Sequence, residues 1–356
     1  MTKVWRRDLV TALIGLWIVV GVHFDGWAHV HVRDLIDSFF TPWHASFYSG
    51  LAAFAVWIGV IALQSRQRFD TALQTFQNLP LGYRGGVIGV AIFATGGAVD
   101  LLWHSLLGIE ASIDALLSPP HLALLTGVLL MGTAAWRSQR ARSAAATVPE
   151  IISLTSAAMA AGFFLNPLSP FRWAAPAGNF VPYKDEYVVV MWIGGVMVST
   201  GLLLIPTLWQ VRDGRHRIGT LTAITLAVGL GAAVAMSDNW PMSVLIPGVI
   251  AATIGALGGD VLFAQLSWRD WRYGLPIVSA LSAFLIWTFQ LIAYAATAGV
   301  NWPESLWGGS LVFAAGTGAA LGSLLWRPAR HLASAPPSAS SPAATEPSAE
   351  ARQSAP

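Results

Sequence analysis

Ten apolar runs divide the chain, near 9–22, 44–64, 84–107, 120–137, 150–166, 187–210, 218–237, 241–264, 274–298 and 306–326. The nine from 44–64 onward are each near the length that crosses a bilayer as a helix, the run at 150–166 being the shortest of these nine. Hydrocarbon offers no water to backbone N–H and C=O groups, so an apolar run of this kind satisfies them internally by forming a helix. The composition requires the same environment. Of 356 residues 55% are hydrophobic and only 11% charged, too few polar side chains to cover a soluble globule of that size. The expected fold class is therefore all-α, a polytopic integral membrane protein with about ten transmembrane helices. Lys3, Arg6 and Arg7 precede the first run, as in a signal peptide, but no small-x-small cleavage site follows. An uncleaved first helix is expected.

Basic residues set the orientation. Lys3, Arg6, Arg7, Arg66, Arg137, Arg140, Arg212, Arg215, Arg272 and most other arginines fall on one side of the ten-helix arrangement, against only Arg33, Arg172 and Lys184 on the other. The positive-inside rule places both termini in the cytoplasm of a bacterial-type inner membrane. The opposite, periplasmic or exterior face collects Asp25, Asp34, Asp37, Asp100, Glu110, Asp114, Asp185, Glu186, Asp238 and Glu304. Basic residues confined to short loops reflect topology, and no nucleic-acid partner is implied. After Trp326 the chain becomes Ala/Pro/Ser-rich, and residues 327–356 are expected to be a disordered cytoplasmic tail.

On this apolar background one polar pattern occurs twice. Asp25, His29, Asp37, Pro42, His44 and Gly50 match Asp100, His104, Asp114, Pro119, His121 and Gly127, about seventy-five residues apart and with nearly constant spacing. Such a match points to an internal duplication of helix pairs. The expected division is 1–64 for the first helix-pair repeat, 65–149 for the second, 150–326 for a six-helix membrane scaffold and 327–356 for the tail.

The duplicated residues carry metal-binding chemistry. Asp25 and His29, like Asp100 and His104, are four apart and project from one helix face. His44 and His121 each begin the next helix, two residues after a proline that sets the entry into it. An antiparallel helix pair then brings Asp, His and His together as three ligands for a transition metal, with positions left open. Asp37 and Asp114 read as loop or cap residues, and Glu110 as a loop residue. A structural reading stands beside the metal one: Asp/His clusters at helix ends can simply be hydrogen-bonded locks. Duplication of ionisable groups at membrane depth favours the metal. Imidazole and carboxylate ligands without thiolate suit copper, zinc or iron, and the absence of cysteine excludes thiolate sites and disulfides. An outward-facing site favours copper or zinc over ferrous iron.

The Asp-x3-His pair followed by a further His resembles the copper-binding motif in the membrane C subunit of particulate methane and ammonia monooxygenases. The resemblance is carried by Asp25, His29 and His44 and again by Asp100, His104 and His121. It implies two copper ligand sets and a metal-dependent oxidoreductase acting on a small or lipid-soluble substrate. A transporter or metal-handling protein would need polar groups continuing across the bilayer, for which Asp260 and Gln290 are sparse. An assembly subunit, in which the clusters only lock helix ends, is the third reading. His23 and His31 are expected in the outer shell of the first motif, His216 and His331 in solvated basic segments, and Asp260 beside Arg269. Trp27, Trp43, Tyr48 and Trp103 suit an interfacial aromatic belt. The segment 166–187 is expected to cover the site.

Overall fold

Every apolar run coincides with helix in the computed structural model, which describes residues 2–32, 41–68, 70–108, 113–142, 145–237, 239–265 and 271–326, the side chains of Asp114 and Ala115 excepted. Arg33, Asp34, Asp37, Glu110, Asp238, Arg269 and the whole 327–356 tail, with His331, lie outside the described residues, and so do the roles assigned to them above. The described residues are all-α, with no strand among them.

Among the described residues seven helices are long and apolar enough to cross a membrane: α1 (Lys3–His31), α2 (Pro42–Ser65), α4 (Tyr83–Leu107), α9 (Glu186–Arg212), α11 (Met242–Ala264), α12 (Gly274–Thr297) and α13 (Glu304–Leu325). The other three runs form shorter pieces. The fourth breaks at Thr133 into α6 (Pro119–Gly132) and α7 (Ala134–Arg140), and the fifth is the 17-residue α8 (Val148–Phe164). The seventh is α10 (Thr220–Leu230), which continues through a π-helical turn at Gly231–Ala235. Two short helices, α3 (Ala72–Gln77) and α5 (Ile113–Leu117), lie in connections.

The residues from Met1 to Trp326 form one compact unit. In its first half α1 packs on α2, α4 on α6, and α2 on α4. Small residues let the backbones approach closely. A Cβ at Gly21 would stand 2.7 Å from the Phe47 Cα, and one at Gly89 would stand 2.8 Å from the Gly127 carbonyl oxygen. Close approach of this kind drives association where the hydrophobic effect between helices is absent. In the second half α11 lies between α10 and α12, and α13 packs on α12 and α9. α8 joins the halves by touching α1, α6, α9 and α10.

The ends carrying most of the basic residues are fastened by buried polar networks. Asp8 on α1 is fully buried and accepts from Tyr83 Oη at 2.5 Å, Arg7 Nη2 at 3.2 Å, Ser138 Oγ at 3.0 Å and the Gln139 amide. That single carboxylate ties α1 to α4 and α7. Glu150 on α8 accepts from Arg215 at 2.6 Å and Gln210 at 3.1 Å. Asp260 on α11 accepts from His216 Nε2 at 2.9 Å and from the backbone N–H groups of Gly219, Leu221 and Thr222 at 2.9–3.1 Å. It therefore caps the first turn of α10, whose N-cap Gly219 has no side chain to do so. This corrects the expectation of a solvated His216. His216 is buried, with 2% of its side chain exposed, and Asp260 binds it and the α10 amides.

The 166–178 segment is also placed differently from expectation. It packs mainly against α8, α9 and α12, with Phe171, Ala174, Ala175, Pro176 and Ala177 buried, and Pro170 O accepts from Gln290 and Tyr294. Irregular backbone is tolerated in a buried position because protein side chains supply its partners. It serves the second half of the bundle.

Candidate metal centre

The helix that carries Asp25 ends at His31, and α2 begins at Pro42. Asp25 and His29 are one turn apart near the end of α1, and His44 stands on the first turn of α2. The structure brings the three together. Asp25 Oδ2 lies 3.7 Å from His29 Nε2 and 3.5 Å from His44 Nε2, and the two imidazole centroids are 5.9 Å apart. The second motif folds alike at the end of α4 and the start of α6. Asp100 Oδ1 lies 3.4 Å from both His104 Nε2 and His121 Nδ1, again with centroids 5.9 Å apart. Within each group one ligand atom from each residue lies within 4.8 Å of the others. Each group can hold a metal ion.

Two observations test the fit of a metal. The carboxylate oxygens Asp25 Oδ1 and Asp100 Oδ1 are buried and accept no hydrogen bond, a costly arrangement for a group with no other ligand. The carboxylate-to-imidazole separations, 3.4–3.7 Å, are longer than good hydrogen bonds. They match the spacing of neighbouring ligands in a tetrahedral shell, about 3.4 Å for bonds of about 2.1 Å. Burial differs between the groups: Asp100 is 5% exposed at its side chain and Asp25 15%, whereas His29 is the open member at 38%.

A hydroxyl residue missed at the sequence level accompanies each helix-starting histidine. Thr41 caps α2 and accepts from the His44 backbone N–H at 3.1 Å, while Ser118 precedes α6 and its Oγ lies 2.6 Å from His121 Nδ1. Both belong to a shared Ser/Thr-Pro-x-His sequence, a signal available in the chain itself. Thr41 thereby fixes the backbone of His44, the task of a ligand support, whereas Ser118 hydrogen-bonds His121 at Nδ1, the nitrogen that faces Asp100.

The remaining aromatic and histidine residues separate into distinct roles. Phe24, Trp27 and Trp43 pack on one another, and His31 stacks on Trp27 at 5.2 Å. His23 points elsewhere: it is buried, bonds Val19 O through Nδ1 at 2.9 Å, and packs edge-on against Phe163 beside the π turn. It is not an outer-shell group of the first triad. Tyr48 leaves the belt and turns inward beneath His44, its ring centroid 6.5 Å from the imidazole. An apolar groove of about 400 Å³ runs along α4 and α6, lined by Ile92, Thr95, Val99, Pro119, Pro120 and Ala123. No known protein family, curated protein or solved structure matches this chain.

Proposed function

We propose that the protein is a membrane metalloprotein whose two Asp/His/His triads bind transition metals at the outer face, and that it acts as a copper-dependent oxidoreductase on a small or lipid-soluble substrate. The observation that carries this reading is the pair of triads itself, each with a buried carboxylate oxygen that accepts no hydrogen bond. Helix pairs α1/α2 and α4/α6 are read as copies of one ancestral unit, and all ten apolar segments as spanning. The resemblance to the monooxygenase C-subunit motif selects copper among the metals that suit these ligands, with zinc and iron behind it.

Bound copper would supply one-electron redox chemistry. The chain's own residues do the rest. Asp25 and Asp100 provide the negative charge that neutralises part of the cation, and the four imidazoles complete the protein's share of the shell. Thr41 and Ser118 hold the helix-starting histidines. The groove along α4 and α6 is lined by Val99 and Pro120, the sequence neighbours of Asp100 and His121, and is read as a lateral route for an apolar molecule. A channel-like role is less well supported, because the Asp8 and Asp260 clusters at the other end are hydrogen-bonded locks and the metal-holding groups among the described residues are these two triads.

Copper-loaded protein should show a Cu(II) paramagnetic signal that ascorbate removes and air restores. A native protein that carries only zinc, with no redox-active metal, would contradict the oxidoreductase reading. Topology is tested independently, because the chain has no cysteine and a single introduced thiol labels cleanly. Tyr183 is 92% exposed, so Tyr183→Cys should react with a membrane-impermeant maleimide in intact cells, whereas Gly214→Cys should require permeabilisation. The reverse pattern would invert the protein in the membrane.

A further inference from the structure

Tyr48 links the surroundings of the two triads. It stands four residues after His44 on α2, and therefore one turn deeper, and its phenol oxygen lies in a notch formed by Gly97 on α4. A Cβ at Gly97 would be 2.8 Å from that oxygen, so the notch exists only because residue 97 has no side chain. Gly97 is itself three residues before Asp100, one turn deeper on a helix that runs outward. Phe93, a further turn below, packs against both Phe47 and Tyr48, with centroids 6.2 and 6.0 Å apart. Tyr48 and Gly97 thus share one level, and His44 and Asp100 share the next level outward on two helices in contact.

Neighbouring packed helices lie about 8–10 Å apart, so two ions held at equal depth by α2 and α4 would be separated by about 10 Å. Their environments are not independent. Tyr48 bridges them: its ring centroid lies 6.5 Å from that of His44, and its phenol oxygen meets Gly97, three residues from Asp100. At about 10 Å the ions cannot share one bridging atom, which requires about 3.5–4 Å. They can still repel each other through the low-dielectric wall between them.

We propose that the two triads form one pair of mutually coupled metal sites, set side by side across α2 and α4 with the Tyr48 phenol lodged beneath and between them. The inference rests on the metal-binding reading above. Each triad holding a divalent ion carries one net positive charge, its carboxylate cancelling the other. Two such charges about 10 Å apart, at an effective dielectric of about 20, weaken the second binding step roughly tenfold relative to the first.

The test uses full-length protein in detergent, titrated with Cu(II) and measured by elemental analysis and electron paramagnetic resonance. The wild type should take up two coppers in steps of unequal affinity, about tenfold apart beyond the statistical factor. It should also show a dipolar interaction corresponding to about 10 Å that is unchanged on dilution. His29→Ala and His104→Ala should each retain one copper, bound at about the affinity of the first wild-type step and without dipolar broadening. Two coppers with equal intrinsic affinities and no dipolar interaction would overturn the coupled pair and leave the metal sites standing. Failure to bind copper at either triad would remove both.

Discussion

Replacing Asp260 with Ala is expected to destabilise the protein by about 3–5 kcal/mol, lowering the apparent melting temperature by on the order of 10 °C. The magnitude follows from what the carboxylate holds. It is fully buried and receives the N–H groups of Gly219, Leu221 and Thr222, the Thr222 hydroxyl at 2.7 Å and the His216 ring. Alanine would leave the first amides of α10 without an acceptor and remove the negative charge from a helix N-terminus, where it is favourable. Asp260→Asn retains an acceptor oxygen and should lose less. Thermal unfolding in detergent checks both variants, and an alanine variant as stable as the wild type would show that α10 does not depend on this cap. Because Asp260 belongs to the opposite end of the bundle, folded variant protein should keep its full metal content.

The second large effect concerns the carboxylates of the triads. Asp25→Ala and Asp100→Ala should each reduce bound metal from two ions per chain to one, with affinity at the altered triad falling roughly 100-fold or more. Stability measured on metal-free protein separates a ligand from a lock. Asp100 is buried, its Oδ1 accepts no hydrogen bond, and its separations from both imidazoles are 3.4 Å. Removing such a group from the metal-free state should change stability by less than about 1 kcal/mol or raise it, since Oδ1 gives up no hydrogen bond and a desolvated carboxylate disappears. A helix-end lock behaves oppositely: Asp100→Ala would then destabilise the metal-free protein by several kcal/mol.

The residues of both triads were legible in the sequence because their convergence is local. A spacing of four on one helix and a proline-set start on the next fix Asp, His and His relative to one another before any distant packing is considered. Apolar length likewise located the helical segments, although the break at Thr133 and the shortness of Val148–Phe164 and Thr220–Ala235 leave only seven, among the described residues, long enough to be assigned as spanning by length and composition. Contacts between distant parts of the chain were not legible. His216 is forty-four residues from Asp260, so neither this histidine nor the three backbone amides that the fold brings to the carboxylate could be read from proximity in sequence. Tyr48 reads as a belt aromatic until Gly97 appears opposite it, and the 166–178 segment reads as a surface loop until its apolar residues are seen among α8, α9 and α12. The Ser/Thr-Pro-x-His signal was present but overlooked, since a hydroxyl before a helix has a sufficient explanation as a cap.

The most direct test of the account is elemental analysis of detergent-purified protein, comparing the wild type with the His29→Ala/His104→Ala double variant. Each substitution removes one imidazole from one triad without disturbing the buried networks around Asp8 and Asp260. The account predicts a transition metal, copper foremost, at about two ions per chain in the wild type and near background in the double variant. A wild type that remains metal-free after incubation with copper, zinc and iron, or a double variant that retains the full complement, would contradict it.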